Sequence, residues 1–246
     1  MEQFTEIRRA VNGAEVAQLA AREIIETLEK ALNENQVVNV SLTGGTVGIL
    51  TLASLAEQPD LNRLDLSRVH LWWGDERYVA SDSPDRNANQ ARVALISKIK
   101  IPARNVHEFP STDSGLDLNA AGTEFSLEVK KHFGEGVPRF DLTILGMGPD
   151  GHVASLFPGH EDLASGKIVV AEANSPKPPA ERLSFGYKVL NASEKIIFVV
   201  SGLDKSDAVT QVHTNEDCQL PAAKVQAKGE TIWFVDQAAG AEFWSC

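Results

Sequence analysis

Asp150 and His152 stand two positions apart in a turn that follows an apolar run, and such a histidine can be neutral at working pH and take a proton. Leu142 to Leu145 reads as a buried strand. Gly146, Gly148, Pro149 and Gly151 then force a sharp turn that delivers both side chains at the strand's C-terminal end. Open α/β sheets place their ligand crevices at such ends. The same glycines spell G-x-G-x-x-G, with Glu172 downstream, as in a dinucleotide fingerprint. Asp150 would sit where a pyrophosphate needs bare N–H groups, and Pro158 leaves a following helix only about two turns. The turn is therefore read as an acid–base site, with His152 near the start of a short helix whose dipole favours neutral imidazole.

Three further strand ends carry polar residues: Thr43-Gly44-Gly45-Thr46, Gly74-Asp75-Glu76-Arg77 and Gly202-Leu203-Asp204-Lys205. In a parallel sheet these ends share one edge and line one crevice. The Thr43–Thr46 loop opens a helix with two glycines, which suits close approach of a phosphate to free N–H groups. Gly44-x-Thr46-x-Gly48 mimics a nucleophile elbow, but capping of the helix by Thr46 explains it equally well. Asp75 and Glu76 are paired carboxylates of the type that do acid–base work. Lys205, near a helix start, is a cation opposed by the dipole, a conflict that a bound phosphate would resolve. His70, His107, His132, His160 and His213 show no zinc-like spacing with His152, and no second ligand cluster is evident, so neither metal nor cofactor is expected.

The elements that must position these residues alternate. Helical spacing runs from Ala14 to Leu32 with Asn12 as cap, from Val47 to Ala56, from about Asn89 to Lys98, from Leu116 to Phe133 and from Asp204 to His213. Strands are expected at Val37–Leu42, Val69–Trp73, Asp141–Leu145, Lys167–Ala173, Lys195–Ser201 and Glu230–Val235, and a terminal turn or helix at Ala238–Phe243. That alternation predicts an α/β fold, a mostly parallel sheet with helices on both faces, built as one domain over residues 1–246.

A net charge of −11 argues against nucleic acid and anionic membranes as partners. An anionic substrate must then be caught by a local basic cluster. Two cysteines, no apolar N-terminal segment and no apolar run long enough to span a bilayer point to a soluble cytoplasmic protein.

Taken together, Ser41-Leu-Thr-Gly-Gly-Thr46, Trp73-Gly-Asp-Glu-Arg77, Ser83-Pro-Asp-Arg-Asn87, Leu145 through Gly159, Glu181-Arg-Leu-Ser184 and Trp233-Phe-Val-Asp236 resemble the bacterial type of 6-phosphogluconolactonase, within the glucosamine-6-phosphate deaminase-like superfamily. The resemblance runs in order over nearly the whole chain and implies that superfamily's modified Rossmann-like fold. Thr43 and Thr46 stand where serines are common, Val47 where proline is frequent, and Ala88-Asn89 where tyrosine-glycine is usual. The deaminase branch carries a glutamate in an F-N-E-P stretch; here Ser155-Leu-Phe-Pro158 has no carboxylate, which favours the lactonase.

The resemblance implies a hydrolase of 6-phosphoglucono-1,5-lactone in the pentose phosphate pathway. His152 would be general base, with Asp75 or Asp150 orienting the imidazole or substrate hydroxyls. Thr43, Gly44, Gly45 and Thr46 would hold the phosphate, with Arg182 and Lys205 as clamps and Arg77 as a further substrate contact. A monomer or weak homo-oligomer is expected. The alternatives are an amino-sugar-phosphate deaminase or isomerase and a non-catalytic sugar-phosphate-binding module. The latter normally adds a DNA-binding helix pair, for which residues 1–35 are too short.

Overall fold

The computed structural model describes residues 4–160 and 166–245. Cys246 and the first three residues lie outside that range, as does part of the N-terminal segment read above. In chain order the elements are β1 (Phe4–Ala10), α1 (Gly13–Glu34), β2 (Val38–Leu42), α2 (Thr46–Ala56), β3 (Val69–Trp73), β4 (Asp75–Arg77), α3 (Asn87–Ala94) and α4 (Leu118–Phe133). They continue with β5 (Leu142–Leu145), β6 (Val169–Glu172), β7 (Arg182–Phe185), α5 (Tyr187–Leu190), β8 (Lys195–Val200), α6 (Ser206–Thr214) and β9 (Glu230–Asp236).

Six strands form one sheet in the order β1-β9-β8-β5-β2-β3, every neighbouring pair parallel. The sheet is covered on both faces, because successive side chains of a strand point to opposite sides. Val40, Leu42 and Leu71 meet Ile24 and Leu28 of α1. Trp72, one position on, meets Phe125 and His132 of α4. Strands buried on both faces are nearly continuous apolar runs, which is why β5 and β8 were legible.

Two features depart from the sequence reading. β1, with its mixed sequence Phe-Thr-Glu-Ile-Arg-Arg-Ala, is an edge strand alongside β9 and largely exposed, so it carries no clean hydrophobic pattern. A second, three-stranded antiparallel sheet, β4-β7-β6, stands beside the first. β4 is only Asp-Glu-Arg, yet Asp75 and Glu76 are buried.

Glu76 explains why. Its carboxylate accepts the backbone N–H groups of Arg77, Asn87 and Ala88 at 2.7–2.9 Å. It thereby caps α3, which starts at Asn87 rather than Asn89 and ends at Ala94, followed by a separate tight turn at Ile96–Lys98. Burial raises the Glu76 carboxyl, and those N–H groups with Arg86 pull the other way. Glu76 is therefore a scaffold group, not the acid–base partner of Asp75.

The Asn12 cap is as expected, and α4 has a cap, Asp117, that was not read from the sequence. Asn12 Oδ1 accepts Glu15 N at the start of α1, and Asp117 Oδ1 accepts Ala120 N at the start of α4. Thr46 is an exception: it is the first residue of α2, the cap position is Gly45, and no side chain caps this helix.

Candidate active site

The ends of β2, β3, β5 and β8 open onto one cavity of about 540 Å³. Thr43, Gly44, Gly45, Thr46, Asp75, Arg77, His152, Arg182 and Lys205 line it. The four strand ends named from the sequence thus converge. Asp150 stands behind this wall and reaches the cavity through His152.

No helix occupies residues 146–160. Residues 146–160 form successive tight turns, with Gly151 at φ +74°, Ala154 at φ +48° and a Val153–Leu156 bridge. The expected helix dipole at His152 is therefore absent, and another device sets the imidazole. Asp150 Oδ1 lies 2.5 Å from His152 Nδ1. Burial raises the Asp150 carboxyl, but the His152 hydrogen bond and charge, with Lys177, outweigh it and leave it at about 2. An ionised carboxylate accepts, so His152 Nδ1 carries the proton and Nε2 keeps the lone pair. Gly148 makes room for this pair, since a Cβ there would collide with the His152 ring and approach Asp150 Oδ1. Of the two carboxylates named from the sequence, Asp75 and Asp150, it is Asp150 that contacts the His152 ring.

Asp75 is engaged elsewhere. Its Oδ2 accepts Ser155 Oγ at 2.6 Å and lies 4.0 Å from Arg182 Nη1; its Oδ1 takes Asn87 Nδ2 at 3.4 Å. Asp75 ties together β4, α3, the turn after β5 and β7. Asn87 in turn packs on Gly44, where any Cβ would strike its Oδ1. That requirement, rather than backbone freedom, explains the first glycine of the loop.

Four basic side chains also line the cavity. Lys177, Arg182, Lys205 and Arg77 all reach the cavity, against Asp75 and Asp204. Burial lowers Lys177, and Lys205 and Arg182 lower it further, against Asp150 and Asp204. Arg182 is lowered by burial, with Arg77 adding to the effect. These cations therefore repel one another. Lys205 Nζ has Asp204 Oδ2 at 2.5 Å, and its segment is held by Asp236, whose Oδ1 accepts Gly202 N at 3.2 Å. Arg182 gives Nε and Nη2 to the carbonyls of Lys177, Pro178 and Pro179, fixing the loop that carries Lys177. Arg77 Nη1 donates to Asp85 O at 2.6 Å, while its buried Nε has no protein partner among the described residues. The uncapped N-terminus of α2 faces the same space. Orphan N–H groups and the dipole there attract an anion.

Asn87, Lys177 and Ser155 were not assigned roles from the sequence. Asn87 and Ser155 lay within the Ser83–Asn87 and Leu145–Gly159 stretches named above, whereas Lys177 lay in none of them. The sequence reading also missed a second histidine cluster. His70 on β3, His107 in the segment between α3 and α4 and His132 at the end of α4 present ring nitrogens that all lie within 4.8 Å of one another. Burial, with His132 and His107 close by, pulls His70 down to about 4. None of the three lines the cavity.

Residues 12–233 match the family of glucosamine-6-phosphate isomerases and 6-phosphogluconolactonases. The chain belongs to this family. It is similar to the protein named 6-phosphogluconolactonase in Mycobacterium leprae, with 38% identity over 91% of this chain and 92% of the relative. The protein of the same name in Streptomyces coelicolor is 35% identical over 92% of this chain and 90% of its own length. A crystal structure of 6-phosphogluconolactonase from Thermotoga maritima superposes with a TM-score of 0.83 at 32% identity, covering 94% of this chain and 99% of that one. The α/β architecture is thus the family's own, and no described helix is long and apolar enough to cross a membrane.

Proposed function

We infer that the chain hydrolyses 6-phospho-D-glucono-1,5-lactone to 6-phospho-D-gluconate, the second step of the oxidative pentose phosphate pathway. It is a hydrolase acting on a carboxylic ester. The high-coverage similarity to proteins named 6-phosphogluconolactonase supports the reaction. The observation that carries the site reading is the placing of the Asp150–His152 pair and the basic wall on one cavity.

In this reading the phosphate sits on the N-terminus of α2, over Gly44, Gly45 and Thr46, between Lys205 and Lys177. Arg182 holds the Lys177 loop and adds charge, and the Arg77 guanidinium, which lines the cavity, adds a further positive charge toward substrate. His152 Nε2 takes a proton from water as the water oxygen bonds to the lactone carbonyl carbon. Asp150 holds the ring and stabilises the imidazolium. Collapse of the tetrahedral centre breaks the bond to the ring oxygen, and His152 returns the proton to that oxygen. Asp75 keeps Asn87, Ser155 and Arg182 in place around the reacting carbon. These roles require no metal and no cofactor.

Residues 1–246 act as one domain in this proposal, since one cluster of buried apolar side chains joins α1, the parallel sheet and the smaller sheet. Its proposed location is cytoplasmic, consistent with Cys218 as a free thiol. The amino-sugar reading finds no support at residues 155–158, where Leu156 and Phe157 are buried and no carboxylate is present. The deciding measurement is acid release from the lactone by pure protein, corrected for spontaneous ring opening. Turnover well above that background is expected; binding without turnover would make the chain a sugar-phosphate-binding module.

A further inference from the structure

His70 begins the story at the far end of β3 from the cavity, on the face covered by α4. Asn39 lies beside it on β2, in register. The protonation of its two neighbouring rings can be read from their partners. Trp72 Nε1 can only donate, and it lies 3.2 Å from Asn39 Oδ1. That oxygen is therefore an acceptor, and His132 Nε2, 2.8 Å from it, carries a proton. The lone pair of His132 is left on Nδ1. His107 Nδ1 lies 3.1 Å from Glu128 Oε1, so it carries the proton and Nε2 holds the lone pair. His107 Nε2 is in turn 2.9 Å from His70 Nδ1. Metal-binding histidines are held in this way, the distal N–H on a carboxylate or carbonyl oxygen and the other nitrogen turned inward.

We propose that His70, His107 and His132 form a binding site for a divalent first-row ion of the zinc type, separate from the lactone cavity. Imidazole suits such ions, and three histidines with a water make a common four-coordinate set. Zinc–nitrogen bonds of about 2.0–2.1 Å in a tetrahedron put the nitrogens about 3.3 Å apart. His70 Nδ1 and His107 Nε2 are 2.9 Å apart, and one nitrogen from each of the three rings lies within 4.8 Å of the others, so small movements reach that spacing. Binding requires small ring movements and a shift of the His70 proton from Nδ1 to Nε2, with no net proton released. Trp72 stacks on His107 at a centroid distance of 3.8 Å and walls one side.

The arrangement has a competing explanation, a purely structural chain of hydrogen bonds from His70 through His107 to Glu128. Metal titration of the EDTA-treated full chain separates the two. With Zn²⁺, calorimetry should give one equivalent bound per chain. Co²⁺ should give the visible absorption of a nitrogen-rich, low-coordinate site and quench tryptophan emission through Trp72, and Zn²⁺ should reverse both.

His70→Gln, His107→Gln and His132→Gln should each weaken Zn²⁺ binding by 100-fold or more, and Glu128→Gln by about tenfold. Lactone turnover should be unchanged by EDTA and by Glu128→Gln, so a failed lactonase assay and a failed metal titration remain distinguishable. Should a histidine variant not fold, ring ¹⁵N resonances of the wild-type chain serve instead. Zn²⁺ should shift His107 Nε2 and His132 Nδ1, not His107 Nδ1 and His132 Nε2. Absence of stoichiometric binding, or equal binding by a folded His107→Gln variant, overturns the proposal, as does a shift confined to His152.

Discussion

The two walls of the cavity are finished to different degrees. On the wall built from the turn after β5, the polar groups have partners within the protein: His152 on Asp150, and Ser155 on Asp75 of β4. On the wall built from α2, the Lys177 loop and the Lys205 segment, cations crowd one another and the helix start is uncapped. Preorganised groups do chemistry without rearranging, whereas crowded like charges are completed by an anionic ligand. The difference accords with the proposal that the first wall serves the reaction and the second recognition. It implies that damage to the first lowers kcat and damage to the second raises KM.

The largest effect should come from His152→Ala, with kcat down by about 10²–10⁴ and the fold spared, since general-base contributions run in that range. Near-normal turnover in this variant would remove His152 from the mechanism and erase the distinction between the walls. Asp150→Asn should follow, with kcat down by about 10–100-fold and KM little changed. The amide can donate to Nδ1 and so favours the wrong tautomer, leaving the proton on Nε2. A loss confined to KM would place Asp150 with substrate instead.

Most of the first wall was legible in the sequence. A strand, a glycine-rich turn and an Asp-x-His pair are contiguous, so local rules sufficed to place His152 at a strand end. The expected helix was wrong because the turn chemistry of Gly151 and Ala154 continued where Pro158 had been taken as the terminator. The second wall was only half legible. Thr43–Thr46 and Lys205 lie at strand ends, but Lys177 and Asn87 depend on β4 pairing with β7 across a long stretch of chain. A three-residue charged strand has no periodicity to detect. The histidine cluster was invisible for the same reason: β3, a loop and the end of α4 meet only in three dimensions.

Intermediate effects should separate the substrates. Lys205→Ala and Lys177→Ala should each raise KM for the phosphorylated lactone about tenfold or more, a charged hydrogen bond being worth about 1.5–3 kcal/mol. Unphosphorylated gluconolactone should be turned over almost as before. Arg182→Ala should do more than raise KM, because it also releases the carbonyls of Lys177, Pro178 and Pro179. Equal losses on both substrates in Lys205→Ala and Lys177→Ala would mean that this wall does not read phosphate.

The smallest effect tests the premise that unpaired groups matter only where they face the cavity. His213 on α6 is half-buried, its Nε2 shielded from solvent, and has no ligand to meet. Its ring packs edge-on against Trp233 at 4.7 Å and beside Phe243, and Nε2 has no hydrogen-bond partner among the described residues. Burial pulls its pKa down from 6.5 to about 4. Between those values the unfolded chain binds a proton that the folded chain refuses. The stability is therefore complete above about pH 6.5 and falls as the pH drops toward 4. His213→Phe keeps the aromatic contact and removes the proton. Urea midpoints at pH 7 and pH 5 should show the variant losing less stability than wild type, by about 1–2 kcal/mol. Activity at pH 7 should be unchanged. An identical acid loss in both proteins would show that His213 titrates freely, and that burial without a charged neighbour does not set its behaviour.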